Sequence, residues 1–212
     1  MRSLRAGALF LTVAGLVAAC GSSGKPGAGG STYQGLVPGA PIALPTTVLH
    51  TTDGTAYPLT STGDGKATLL FFGYTNCPDV CPTTLADVAT ALRKVPAAVQ
   101  QKVRVVFVTS DPKRDTGPAL AAWLGHFSVP STIVGLRGSV AEVDRAGGEA
   151  GVQLFAPKTL ADGTVEVDHG AQLIGYTPDG QGRVEWLVAT DQVGLLAKTL
   201  EHDLPLLVAG HP

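Results

Sequence analysis

The sequence predicts one α/β domain that has a mixed sheet with helices on both faces. Two patterns indicate this class: short apolar runs alternate with amphipathic stretches along the chain, and the last two apolar runs are joined by a turn-rich segment. A third observation is composition, since 44% of the 212 residues are hydrophobic and 15% are charged. This supplies one good-sized core, so the 27 glycines and 15 prolines indicate turns rather than disorder.

The first part of the domain is predicted to be a hairpin followed by a buried strand. Asp53 and Gly54 form a hairpin turn pair between short apolar stretches at 47–49 and 57–59. Residues 67–72 are almost continuously apolar, which suits a strand buried on both faces. We therefore expect a central strand there.

Helices and strands alternate in the middle of the chain. Residues 83–95 carry apolar side chains three or four positions apart, the spacing of an amphipathic helix. The further predicted elements are strands at 103–108 and 133–136 and helices at 118–127 and 140–150. Gly147 and Gly148 weaken the prediction of the last helix, because glycine is a poor helix former.

A second hairpin and a helix are predicted to close the chain. Strands at 171–176 and 184–188 are joined through the turn-rich residues 178–182, which makes them antiparallel. Residues 193–207 then read as an amphipathic helix. This succession of elements is the thioredoxin-like order with an extra N-terminal β-hairpin.

Residues 1–19 read as a secretory signal peptide. Basic residues come first, residues 6–18 carry no charge, and small residues precede Cys20. An apolar helix of that length spans about 20 Å, short of the roughly 30 Å hydrocarbon core of a bilayer, so the segment is predicted to target the chain. Residues 20–35 are rich in glycine and serine and predict a flexible tether, which leaves 36–212 as the folded domain.

The end of the signal peptide resembles the lipobox of bacterial lipoproteins. The residues are Val17-Ala18-Ala19-Cys20. The resemblance implies that Cys20 is acylated and becomes the first residue of a protein anchored by lipid to the extracytoplasmic face of the cell membrane. The alternative is an ordinary cleaved signal peptide in which Cys20 has no role.

Cys77 and Cys81 lie between the buried strand at 67–72 and the helix that follows it. Functional groups collect at the carboxyl ends of strands in open α/β sheets. If the helix begins at or just before Pro82, its amino end lowers the pKa of the Cys81 thiol. The pair can form a disulfide or hold a soft metal, and a purely structural disulfide is the simplest alternative.

Two sulfurs underfill the coordination of a soft metal, so a third ligand is needed. Among the five histidines His169 is the best candidate, because it directly precedes the strand predicted at 171–176, whose start faces the cysteine loop in the thioredoxin-like order. Two thiolates and one imidazole form a trigonal site suited to copper. No role is assigned to the other four histidines.

Three motifs together resemble the Sco/SenC family of copper-binding proteins. They are the run from Phe71 to Thr84 around the two cysteines, the run from Asp111 to Thr116, and Val167-Asp168-His169. The resemblance implies a thioredoxin-like fold and copper, as Cu(I) or Cu(II), held by Cys77, Cys81 and His169. It also implies a role in maturing the binuclear copper centre of cytochrome c oxidase, with the copper-bearing subunit as partner.

The family resemblance also links Asp144 to Cu(II) binding, although the Gly147-Gly148 pair follows it closely. Gly170 stands where the family often has serine or threonine. Asp111, Arg114 and Asp115 are expected to organise their loop rather than to react, because Asp-Pro and Asp-Thr pairs suit turns and helix caps.

Three functions remain open at the level of sequence. The first is a membrane-tethered copper chaperone. The second is a thiol-disulfide reductase that uses Cys77 and Cys81 as a redox pair to keep the acceptor's cysteines reduced, and the third is a peroxide-reducing thiol enzyme or redox sensor. We do not expect the protein to bind nucleic acid, because its net charge is −2 and the sequence shows no basic patch.

Overall fold

A computed structural model of the chain describes residues 32–62, 64–155, 158–159, 165–166, 170–188 and 194–212. These residues contain ten strands: β1 (Ile42–Ala43), β2 (Val48–Thr51), β3 (Ala56–Pro58), β4 (Ala67–Gly73), β5 (Val103–Thr109), β6 (Thr132–Arg137), β7 (Lys158–Thr159), β8 (Val165–Glu166), β9 (Gln172–Tyr176) and β10 (Gln181–Leu187). They also contain five α-helices: α1 (Val80–Lys94), α2 (Ala97–Gln100), α3 (Gly117–Leu124), α4 (Val140–Glu149) and α5 (Leu195–Val208). A 3-10 turn at Leu59–Thr62 precedes β4.

Eight of these strands form one mixed sheet in the order β1-β10-β9-β4-β5-β6-β2-β3, and β7 pairs with β8 alone. β4, β5 and β6 are parallel, while β9 runs antiparallel to β4 and β10 antiparallel to β9. β4, β5, β6 and β10 therefore finish at the same end of the sheet, which we call the metal-loop end. The predicted thioredoxin-like α/β class with an added N-terminal hairpin is confirmed.

Helices cover both faces of the sheet. One core cluster joins α1, α3 and α5 to one face, through side chains such as Leu85, Leu120 and Leu200. The other cluster joins α4 to the opposite face through Val143 and Ala146. Every residue of β4 and β5 is buried, as expected of central strands between two helical layers.

Helix α1 begins three residues earlier than its apolar spacing predicts. It starts at Val80, so Cys81 and Pro82 lie in its first turn. Proline is tolerated there because the first turn has no intrahelical acceptor for its missing N–H. Cys81 is thereby part of the helix rather than of the loop before it.

Helix α4 runs through both glycines that weakened its prediction. Gly147 is buried, and a Cβ at this position would lie 2.7 Å from Leu154 Cδ1, so only glycine allows the contact. The start of the helix is secured by a capping box, in which Ser139 and Glu142 satisfy each other's backbone N–H groups. Packing and capping thus offset the low helix propensity of glycine.

The first described residues form a strap, defined as residues 33–36, that is held against α5. Asp203 of α5 is fully buried and accepts hydrogen bonds from the backbone N–H groups of Gln34 and Gly35 at 2.8 and 2.9 Å. It also accepts from Trp186 Nε1 at 3.0 Å. Tyr33 Oη donates to the carbonyl oxygen of His211, just beyond the end of α5, at 3.0 Å.

No helix within the described ranges has the length and apolar character needed to cross a membrane. The predicted signal peptide, Cys20 and the tether up to residue 31 lie outside the described residues, so those predictions stay predictions.

Candidate metal centre

Cys77 lies in a short loop at the metal-loop end of the sheet, and Cys81 lies in the helix directly after it. This metal loop, residues 74–79, links the end of β4 to the start of α1. Its turn is closed by a hydrogen bond from the Cys77 backbone N–H to the Tyr74 carbonyl oxygen at 3.2 Å. The loop therefore lies where α/β sheets commonly place functional groups.

Cys77 in the metal loop and Cys81 in the first turn of α1 are four residues apart and adjacent in space. The structure describes both as thiols, with Cys81 fully buried and Cys77 partly exposed. The Cys81 backbone N–H points at Cys77 Sγ, with 3.4 Å between nitrogen and sulfur. A thiol pair in this arrangement presents two sulfurs to one ion, with Cys77 on the accessible side.

The expected lowering of the Cys81 thiol pKa is wrong. A hydrogen bond with the Cys77 side chain, followed by burial, raises the pKa of the Cys81 thiol well above its ordinary value. Cys81 does lie at the helix amino end, as predicted, but the N–H group of that end is directed at the sulfur of Cys77. Cys81 lies four residues before Leu85 and extends the apolar face of α1 by one turn, an indication of burial that the sequence analysis did not use.

Gly73 makes room for the buried sulfur. A Cβ at Gly73 would lie 2.7 Å from Cys81 Sγ and 3.0 Å from Phe107 Cε2, so a larger residue cannot occupy this position without moving one of them. Phe107 also contacts Trp123, with ring centroids 5.1 Å apart. The Cys81 sulfur is therefore bounded by strand backbone and aromatic rings.

A second loop, after β5, supports the metal loop from behind. The carboxylate of Asp115 is fully buried and accepts hydrogen bonds from the backbone N–H and the hydroxyl of Thr75. Asp111 forms an ion pair with Arg114, and the Arg114 guanidinium lies over the Tyr74 ring at 5.9 Å. These contacts confirm that the Asp111–Thr116 motif organises its loop.

The remaining predicted ligands are not brought together within the described part of the chain. His169 lies outside the described residues, as does Cys20. Asp144 is described, and its side chain is exposed on α4, the helix that packs on the sheet face opposite Cys81. Among the described residues, no three histidine, cysteine or acidic side chains converge on a common point. The roles of His169 and Asp144 stay predictions.

β9, the strand that follows the undescribed His169, begins near the carboxyl end of β4. β9 begins at Gln172, and Leu173 pairs with Phe71 near the carboxyl end of β4. Gly170, the residue after His169, donates its N–H to the Gln153 carbonyl oxygen at 2.8 Å. The described residue nearest to His169 in sequence thus leads into a strand that starts at the metal-loop end.

The donor set fits a soft metal ion. A loop thiol and a thiol in the adjacent first helical turn can bind one ion through both sulfurs once deprotonated, and thiolates select Cu(I), Zn(II) or iron–sulfur clusters over hard cations. The apolar surroundings of Cys81 exclude water from one side of the pair. The accessible Cys77 leaves the other side open to a further ligand or to an acceptor.

Comparison with known proteins agrees with this site. The sequence model of the SCO1/SenC family matches residues 49–201. The chain belongs to the SCO1/SenC family. Its matched region includes both cysteines, Asp115 and His169.

Relatives of this SCO1/SenC protein are found among sequences and solved structures. The mitochondrial SCO2 homolog of Danio rerio is 37% identical over 119 residues, which cover 55% of this chain and 41% of that protein. The solution structure of apo Sco1 from Thermus thermophilus is 30% identical with a TM-score of 0.70, covering 83% of this chain and 97% of that one. Bradyrhizobium japonicum ScoI with copper bound is 30% identical with a TM-score of 0.64, covering 78% and 99%.

The SCO1/SenC chain spans about half the length of the curated relatives it matches. Its thiol pair was predictable from sequence, whereas the roles of Gly73 and of the Asp115 contact to Thr75 were not predicted. A glycine directly before a cysteine loop was an available indication of close backbone approach. The pairing of Asp115 with a residue 40 positions away carried no local indication.

Proposed function

We propose that this protein is a membrane-tethered, extracytoplasmic copper chaperone that binds copper through Cys77, Cys81 and His169. One observation carries the proposal: Cys77 in the metal loop and Cys81 in the first turn of α1 lie side by side at the carboxyl end of a central strand, in a chain that belongs to the SCO1/SenC family. Copper bound in the Bradyrhizobium japonicum neighbour supports the choice of metal.

The site suits both binding and release of copper. Thiolates and imidazole are ligands that copper accepts in either oxidation state. Cys81 is buried and held by its surroundings, whereas Cys77 is partly exposed and lies on a loop. An acceptor thiol can therefore approach the ion from the Cys77 side while Cys81 still holds it. This asymmetry favours transfer over permanent storage.

The acceptor in this proposal is the copper-bearing subunit of cytochrome c oxidase. The family resemblance implies this partner, and the chaperone would assist maturation of its binuclear copper centre. Lipid attached at Cys20 would hold the domain at the membrane where that subunit resides. In the producing cell, Cys20→Ala is expected to move the protein from the membrane fraction to the soluble fraction and to abolish fatty-acid labelling. Retention of either property contradicts the anchor.

Copper titration tests the binding site directly. The wild-type protein is expected to bind one equivalent of Cu(I) and of Cu(II), and Cys77→Ser, Cys81→Ser and His169→Ala are each expected to weaken binding strongly. His126→Ala is the matched control, because His126 is exposed and has no predicted role. Absorption and EPR spectra identify thiolate and imidazole ligation of Cu(II). Wild-type protein without copper affinity, or equal affinity after His169→Ala, refutes the site as proposed.

The link between Asp144 and Cu(II) is tested in the same titration. Because Asp144 is exposed on α4, its replacement by asparagine leaves the core packing intact. If Asp144 assists Cu(II), Asp144→Asn lowers the affinity for Cu(II) and leaves that for Cu(I) unchanged. Equal Cu(II) affinities remove it from the site.

A second candidate function is reduction of the acceptor's cysteines. The observation that favours it is the contact between the Cys77 and Cys81 side chains, since adjacent thiols can close to a disulfide as they donate two electrons and two protons to an acceptor disulfide. The midpoint potential of the pair decides between the functions. A pair more reducing than the acceptor disulfide supports the reductase, and a less reducing pair excludes it.

A further inference from the structure

Two buried aspartates lie four residues apart in the loop behind the metal loop, and they differ in their partners. Asp111 and Asp115 are 2% and 0% exposed. The carboxylate of Asp111 is paired with the guanidinium of Arg114. The carboxylate of Asp115 is held by neutral donors: Thr75 N–H at 3.0 Å, Thr75 Oγ1 at 2.6 Å and Thr109 Oγ1 at 2.5 Å.

No compensating cation reaches the Asp115 carboxylate from the described residues. Among them, every lysine, arginine and histidine nitrogen lies more than 4.0 Å from it. Arg137 comes near, but it donates to the backbone oxygens of Asp115 and Pro112, at 3.1 and 2.9 Å. A buried carboxylate without an ion pair acts on its surroundings over a longer range than a paired one, because no adjacent opposite charge cancels its field and little water screens it.

The two threonines that hold Asp115 connect it to both cysteines. Thr75 belongs to the metal loop and precedes Cys77 by two residues. Thr109 pairs in register with Gly73, the residue against which the Cys81 sulfur packs. The pKa of the Cys81 thiol is raised mainly by the hydrogen bond between Cys81 and Cys77 and by the burial of Cys81, and the charge of Asp115 raises it further. The charge therefore acts on the sulfur pair from behind.

We propose that Asp115 is the positioning residue of the metal loop and that its buried charge favours Cu(II) over Cu(I) at the thiol pair. This inference rests on the proposed copper function. Two thiolates with Cu(I) carry a net charge of about −1, whereas with Cu(II) they are neutral. A fixed negative charge repels the first complex and leaves the second unaffected. One unit charge acting on another across roughly 10 Å, at an effective dielectric constant of about 20, changes an equilibrium by about tenfold.

The test compares the ratio of Cu(II) affinity to Cu(I) affinity in wild-type protein and Asp115→Asn. Each affinity is measured by competition with a chelator of known affinity for that ion. Asparagine keeps the shape and the hydrogen-bonding capacity of the side chain, so the variant removes the charge. The ratio is expected to fall by about tenfold, the size of one buried unit charge. Glu201→Gln is the charge-matched control and leaves the ratio unchanged, because the carboxylate of Glu201 is exposed and water screens it.

Thr75→Val separates positioning from charge. It removes one hydroxyl donor to Asp115 and keeps the carboxylate, so both copper affinities and the hydrogen-exchange protection of the metal loop are expected to fall while their ratio stays constant. An unchanged or increased ratio in folded Asp115→Asn overturns the proposal. If that variant does not fold, Thr75→Val decides, and a changed ratio in it overturns the proposal. Wild-type protein that binds no copper instead refutes the proposed function.

Discussion

Gly73→Ala is predicted to displace the buried sulfur of the metal centre. The added methyl carbon would lie 2.7 Å from Cys81 Sγ and 3.0 and 3.1 Å from two ring atoms of Phe107. Van der Waals contacts between such atoms lie at about 3.5–4.0 Å, so one neighbour must move by close to 1 Å. Both neighbours are fully buried, and neither has empty space to enter.

The size of the effect follows from overpacking in a dense core. Inserting one methyl group into a well-packed interior costs about 1–3 kcal/mol. Replacing glycine by alanine in an extended strand returns about 0.5–1 kcal/mol through the unfolded state. The free energy of unfolding of Gly73→Ala is therefore expected to be about 1–2 kcal/mol lower than that of wild-type protein. The metal-free variant can relieve the strain by moving Cys81. Copper binding then has to return Cys81 to its strained position, which lowers the copper affinity by about tenfold.

Urea unfolding and a Cu(I) competition titration measure the two effects. Gly148→Ala is the matched control, because a Cβ at that helical position meets no atom within 4 Å. That variant is expected to gain about 0.5–1 kcal/mol of stability and to bind copper as the wild type does. If Gly73→Ala has wild-type stability and wild-type affinity, the packing of Cys81 against the strand is not as described.

Three further predictions concern other contacts of the fold. Asp203→Ala removes the acceptor of three N–H groups, those of the Gln34 and Gly35 backbone and the Trp186 ring, and is expected to cost about 3–5 kcal/mol in urea unfolding. The exposed neighbour Glu201→Gln is expected to cost about 0–1 kcal/mol, and similar costs would contradict the strap contact. Ser139→Ala removes the capping box of α4 and is expected to cost about 1 kcal/mol, visible as a lower thermal midpoint; an unchanged midpoint would show that the cap is dispensable. In metal-free protein, mass spectrometry is expected to find alkylation at Cys77 before Cys81, because Cys81 is buried. Faster alkylation of Cys81 would contradict its burial.

The spacing of apolar residues and the positions of turn residues were sufficient to predict most of the fold. The apolar run at 67–72 and the helical spacing after it predicted β4 and most of α1, because both patterns reflect burial that is local in sequence. Strand β1 was not predicted. It has two residues, too few for a period, and it exists because β10 pairs with it from far along the chain.

The cysteine pair of the candidate site was predictable from the sequence, whereas the contacts around it were not. The spacing of Cys77 and Cys81 between a strand and a helix left a disulfide and a shared soft metal open, and the family resemblance favoured the metal. The burial of Cys81 follows the apolar spacing of α1, which the sequence analysis started only at Thr83. The support from Asp115 depends on a contact between separate loops, which local patterns do not encode. Asp203 shows the same limit, since a carboxylate on an amphipathic helix is ordinarily predicted to face water.

The strap also determines where mechanical load enters the domain. The described chain begins beside His211, past the end of α5, while α5 starts next to Leu187 at the metal-loop end. A pull on the residues ahead of the strap is therefore resisted first by Asp203 and by the last turns of α5, at a distance from the thiols. Load applied ahead of the strap would therefore reach the contacts of Asp203 before it reached Cys77 and Cys81.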